Sequence, residues 1–148
     1  SNVYRSGTNQ TFFHSIPYKV LRIDQVDLLF IGLTIDVKKP YLDIVNQTSL
    51  SSFVKEFLRS ISHVHYDILI ALTHLDLPID IQLLELIPEI DLILGGHEHE
   101  NIFLSRGSKM SKLSKADGNA FTVFIHRCAF HLKTKKLRIH SHLTSINE

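Results

Sequence analysis

Two stretches of the chain are apolar without alternating: Asp67-Ile-Leu-Ile-Ala-Leu-Thr-His74 and Asp91-Leu-Ile-Leu-Gly-Gly-His-Glu-His99. Each is short, starts on an acid and ends in histidine. Runs of this kind suit strands buried on both faces of an α/β sheet. Residues 75–89 between them can form a short crossover helix, which would set the two strands parallel and side by side. Upstream, 16–23 alternates loosely while 26–33 is nearly all apolar, predicting an outer and a more central strand joined around Asp24-Gln25. Leu50, Phe53, Val54, Phe57, Leu58, Ile61 and Val64 fall on one helical stripe, with Lys55, Glu56 and Arg59 opposite. This predicts a helix covering the sheet, with Thr48 or Ser49 as its N-cap.

After His99 the pattern changes. Residues 102–104 read as a short strand and 106–108 as a turn. Lys109, Lys112 and Lys115 are interleaved with Ser and Leu, and Asp117-Gly118 is a hairpin dipeptide. Residues 121–132 and 137–146 then read as two strands around the turn 133–136. Polar stretches 1–10 and 34–48 read as loops. The expected architecture is α/β, an α/β unit followed by antiparallel strands, in a single domain over 1–148.

Composition narrows the function class. With 44% hydrophobic and 21% charged residues in 148, the chain can bury a core and is not of the disordered type. A formal net charge of +1 gives no footprint for nucleic acid or an anionic membrane, and no apolar run could span a bilayer. The single cysteine, Cys128, excludes an internal disulfide and is expected to be buried and inert. The triplets Asn9-Gln-Thr11 and Asn46-Gln-Thr48 match the glycosylation acceptor pattern, which arises often by chance.

Ten histidines are many for this length, so the spacing His-x-His, which occurs three times, means little alone. His140 and His142 read as a solvated strand face, and His63 and His65 as residues suited to a helix C-terminus. His14, His126 and His131 read as structural. His97 and His99 differ in context. They follow an apolar strand and Gly95-Gly96, which would let the backbone turn and approach a ligand. His74 ends the preceding strand in the equivalent place, and ligands in such sheets sit beyond the carboxyl ends of strands. Three neutral imidazoles there suit Zn, Mn, Fe or Co; a polar loop is the competing reading.

Thr73-His74 and Asp91-Leu-Ile-Leu-Gly-Gly-His-Glu-His99 resemble the last two motifs of the calcineurin-like metallophosphoesterases, in their 5′-nucleotidase branch. Two further stretches, 18–33 ending Phe-Ile-Gly-Leu-Thr and 115–119 (Lys-Ala-Asp-Gly-Asn) before the strand at Phe121, are similar to the same branch, so the resemblance runs along nearly the whole chain. It implies part of an α/β-β/α sandwich holding two divalent metal ions (Zn, Mn, Fe or Co). By motif, His74 and His97 would bind one metal and His99 the other. The implied activity is phosphoester hydrolysis of a nucleotide or another phosphate ester, by attack of a metal-bound hydroxide on phosphorus. No protein nucleophile is then required, and no Ser/His/Asp or Cys/His arrangement stands out.

The family's earlier motifs, an Asp-x-His, a Gly-Asp with a following Asp, and a Gly-Asn-His, do not occur. The chain is therefore expected to be the C-terminal half of a metallophosphoesterase catalytic domain, with the N-terminal half as its missing partner. Alone it would be inactive and hold one metal or none, with Asp36, Asp76, Glu98 and Glu100 as local carboxylates that could add oxygen ligands. The alternatives are a non-catalytic half-site module binding one transition metal or a partner segment, and a plain interaction domain. A periplasmic or extracellular location follows from the resemblance only.

Overall fold

The computed structural model describes residues 1–146. Its centre is a six-stranded sheet made of β2 (Lys19–Ile23), β3 (Val26–Thr34), β5 (Ile68–His74), β6 (Ile90–Gly95), β7 (Ile102–Arg106) and β8 (Ser111–Lys115), in the order β2-β3-β5-β6-β8-β7. The four inner strands run parallel and the two edges antiparallel. Helix α1 (Leu50–Ser60) connects β3 to β5, and α2 (Leu77–Leu86) connects β5 to β6. The apolar pattern thus yields the α/β unit expected.

The pleat sorts the inner strands onto two faces. Leu29, Ile31, Leu33, Leu69, Ala71, Ile93 and Leu113 form the larger core with Leu50 and Val54 of α1 and Leu83 and Leu84 of α2. On the other face, Ile68, Ile70 and Leu92 pack under Phe130, Leu137 and Ile139. These three belong to the hairpin of β9 (Thr122–His131) and β10 (Lys136–Ser145), which pair antiparallel. Over the carboxyl end of β5 this face is left open, and Leu72 is 44% exposed.

Several expectations are corrected. The lysine-interleaved segment, to which the apolar pattern assigns no element, contains β8, a strand inside the sheet, parallel to β6, with Leu113, Ser114 and Lys115 all buried. Asp117-Gly118 does not close a hairpin but opens a short 3-10 turn (Gly118–Ala120) between β8 and β9. The first ten residues hold β1 (Val3–Arg5), paired with β4 (Leu42–Ile44) in a stretch expected to be loop. Asn2 is buried because it completes the end of β3, accepting from the Thr34 N–H at 2.9 Å and donating to the Thr34 carbonyl at 2.7 Å. Ser49 stands at the N-cap of α1 without a capping bond; Asn46 caps the preceding turn instead. Cys128 is exposed on the surface strand β9; partial desolvation still pushes its thiol up, away from reactivity. Among the described residues no helix is long and apolar enough to cross a membrane.

Candidate functional site at the carboxyl ends of the parallel strands

The carboxyl ends of β3, β5, β6 and β8 are held in register, with Thr34 opposite His74, Thr73 opposite Gly95 and Gly95 opposite Lys115. Two backbone bonds extend the alignment past the strands, from Ile35 N–H to the His74 carbonyl (2.9 Å) and from Gly96 N–H to the Thr73 carbonyl (3.0 Å). A cleft of about 460 Å³ lies over these ends, lined by Ser1, Thr34, Leu72, His74, Gly95 and Gly96 among others.

The structure brings His74 and His97 together. His97 Nδ1 lies 3.4 Å from His74 Nε2, with the rings at 76° to each other. The other nitrogen of His97, Nε2, is 2.9 Å from Asp76 Oδ1. With its proton on Nε2, directed at the carboxylate, His97 presents the Nδ1 lone pair toward His74. His99 is not part of this pair. It is exposed and its ring rests on the turn at Gly118, where an added Cβ would come within 2.9 Å of His99 Cγ.

The turn into the histidine loop is not made by the glycines. Neither Gly95 nor Gly96 has positive φ; instead His97 (φ 98°) and His99 (φ 57°) adopt left-handed backbone. Such conformations cost a residue with a Cβ roughly 1–2 kcal/mol each and persist only where neighbours enforce them. Gly95 is small for another reason. A Cβ there would meet Lys115 Cε at 2.9 Å and Thr73 Oγ1 at 3.0 Å.

Lys115 is the residue that sequence reasoning missed. It is 1% exposed, and its Nζ lies 2.6 Å from Glu98 Oε2, 2.6 Å from the Leu75 carbonyl and 2.8 Å from Asp80 Oδ2. The signal was a lysine closing a segment with Leu113 and Ser114, too short and polar to stand out as a strand. Asp80, fully buried on α2, has its carboxyl pushed up to about 6, chiefly by burial, against the pull of Lys115. Burial also acts to raise Glu98, but its hydrogen bonds to Lys115 and to backbone N–H groups outweigh this and hold it low.

The local carboxylates thus divide by role. Asp76 orients His97. Glu98 faces away, its Oε1 accepting from Leu77 N–H at 2.5 Å and its Oε2 from Lys115. Asp36 Oδ1 accepts from Gln47 N–H at 3.4 Å, and Glu100 is exposed. Of the histidines read as structural, His126 bridges the Ser114 and Ser141 hydroxyls at 3.0 and 2.8 Å, tying the hairpin to β8, while His140 and His142 face solvent.

The donor set fits a divalent transition metal in one respect that can be measured. Two nitrogens each about 2.1 Å from a tetrahedral ion lie about 3.4 Å apart, which matches the His74–His97 separation of 3.4 Å. Among the described residues, three potential ligand atoms lie within 4.8 Å of one another only in Asp27, His65 and Asp67, at the opposite end of the sheet. That group is already satisfied, with Asp67 bound to Lys135 Nζ at 2.7 Å and to Asp27 N–H at 3.0 Å. Lys135 holds the Asp67 carboxyl below its usual range.

No family model matches the sequence, and no curated protein matches it. Solved structures do. A protein described as a 5′-nucleotidase from Staphylococcus aureus superposes with a TM-score of 0.77 at 18% identity, over 99% of this chain and 32% of that one. The 5′-nucleotidase of Candida albicans gives 0.71 at 16% identity, over 99% and 30%. A sulfate thiohydrolase from Thermus thermophilus gives 0.71 at 18% identity, over 97% and 27%. The fold is therefore that of part of a 5′-nucleotidase-like protein, as the histidine motifs implied, and the chain spans about a third of the length of these structures.

Proposed function

We infer that this chain contributes the two-histidine part of a metal-dependent centre that hydrolyses phosphate esters, a nucleotide being one candidate substrate. The observation that carries the reading is the 3.4 Å approach of His97 Nδ1 to His74 Nε2 at adjacent strand ends, with Asp76 behind His97. A carboxylate on the far nitrogen fixes the tautomer and ring orientation of a ligating imidazole. His74 and His97 would hold one divalent ion, and His99, set apart on the Gly118 turn, would serve a second. Such ions supply Lewis acidity toward phosphoryl oxygens and lower the pKa of a water.

The bridging carboxylates belong to motifs this sequence lacks, so catalysis would require a second segment, the N-terminal half of the domain. That segment has a place to go, since the cleft and Leu72 lie open beside His74. The same fold carries a sulfate thiohydrolase, so the fold alone does not select the ester.

The test is metal content by elemental mass spectrometry on chelator-free protein loaded with Zn or Mn. Close to one ion per chain is expected, lost in His74→Ala and His97→Ala and retained in His99→Ala. Hydrolysis of nucleotide monophosphates should then appear when a segment bearing the absent motifs is added. A chain that binds no metal overturns the reading. Metal binding without hydrolysis in the reconstituted pair favours the non-catalytic half-site module.

A further inference from the structure

We propose that Lys115 and Glu98 are positioning residues for the histidine site, acting as a buried latch that holds the loop 96–99 in its left-handed conformation. This rests on the reading of His74 and His97 as ligands, but its structural core does not depend on metal.

Glu98 stands between the two strained residues of the loop, His97 at φ 98° and His99 at φ 57°. Both of its carboxylate oxygens are spent away from the histidines, one on the first N–H of α2 and one on Lys115. Lys115 in turn reaches every element that places a ligand. It binds the Leu75 carbonyl, one residue past His74, and Asp80 on α2, the helix that starts one residue after Asp76. A single ammonium group thus references His74, His97 and the carboxylate behind His97 to the same point. Two of its protons meet the Leu75 carbonyl and Glu98, and Asp80 Oδ2 stands 2.8 Å away as an ion-pair partner, so the group is held from three sides.

Stability alone is a poor account of this arrangement. A fully buried ammonium and carboxylate, with Glu98 half-buried beside them, incur a desolvation cost, and apolar replacement of buried ion networks is often neutral or stabilising. Both left-handed histidines add strain on top of that cost. The network instead holds the chain in an unfavourable conformation next to two ligands, which is the role of a supporting shell.

The test compares the wild-type chain with Glu98→Gln and with the charge-free variant Lys115→Met/Asp80→Leu/Glu98→Gln. Amide hydrogen exchange at residues 96–99 is followed without metal, and Co(II) is titrated by its visible absorption. Urea unfolding serves as the control for global stability. Exchange at 96–99 should accelerate at least tenfold in both variants while protection in β5 and β6 is retained. Co(II) affinity should fall about 10- to 100-fold, the range typical of lost outer partners, with a changed absorption band. Unchanged loop exchange in a folded variant overturns the latch, whatever happens to Co(II). Faster loop exchange in a chain that never binds Co(II) upholds the latch and overturns the metal reading. If the charge-free variant fails to fold, Glu98→Gln decides alone, because it keeps the acceptor for Leu77 N–H and the side-chain volume.

Discussion

Adjacent glycines at the end of β6 should respond oppositely to the same substitution. In Gly95→Ala the new methyl would stand 2.9 Å from Lys115 Cε, 3.0 Å from Lys115 Cγ and 3.0 Å from Thr73 Oγ1. Ordinary contact begins near 3.4 Å, so one of these atoms must move. Flexible lysines usually yield, but this one is fixed at its tip by three oxygens, and Thr73 is part of a central strand. Overpacking of this kind costs about 1–3 kcal/mol. In Gly96→Ala the nearest atom is His74 Nδ1 at 3.6 Å, an ordinary contact, and φ is not positive. Restricting the unfolded chain then gives a gain of about 0.4–1 kcal/mol. The two variants should therefore differ by about 1.5–4 kcal/mol in urea unfolding, with Gly95→Ala the weaker. Equal midpoints, or a greater loss in Gly96→Ala, would refute the reasoning and return the pair to a role in backbone turning.

Two further outcomes follow from the same contacts. The Asp80 carboxyl is raised from 3.8 to about 6 in the folded chain, so the folded state binds the extra proton between those values. Its burial penalty is present in full above about pH 6 and relieved as pH falls toward 4. Wild-type stability relative to Asp80→Asn should rise by about 1.4 kcal/mol from pH 8 to pH 5. A flat difference across that window in paired urea titrations would count against it. Below that window Glu98 and Asp67, both held low, lose their contributions as they protonate, so stability then declines. In Gly107→Ala, the methyl at φ 75° would sit 2.2 Å from the Leu84 carbonyl oxygen at the end of α2. Left-handed strain and a backbone clash together should cost about 2–5 kcal/mol, read as a drop in urea midpoint; a loss under 1 kcal/mol would show that the turn can shift freely.

The strands and helices that a single periodicity can express were legible. The runs ending at His74 and Gly95, the stripe from Leu50, and the two long strands of the hairpin are all found within a few residues of their expected bounds. What failed was β8, because a strand reading Ser-Lys-Leu-Ser-Lys carries its burial through partners and not through composition. Ser111 donates to the Ile90 carbonyl at 2.6 Å, Ser114 meets His126, and Lys115 meets two acids. None of these partners is near in sequence. That His74 and His97 would come near each other followed from strand order, which the apolar runs expressed; the choice of this pair over His99 came from the motif resemblance. The setting apart of His99 depended on the Gly118 turn, which no local signal ties to it. Glu98 was readable as a carboxylate but not as one turned inward, since its direction is set by Lys115.

The burial of Lys115 also makes it a natural reporter. An amine reagent meets most of the other lysines at the surface, whereas this ammonium is enclosed by three oxygens at 1% exposure. Acylation there requires that the 96–99 loop, α2 or β8 first move aside, so its labelling rate counts openings of the sheet's carboxyl end. Once acylated, the side chain can no longer return to its place between Asp80 and Glu98. A pool of chains exposed to such a reagent would therefore lose the histidine loop one opening event at a time, while unopened molecules stayed whole.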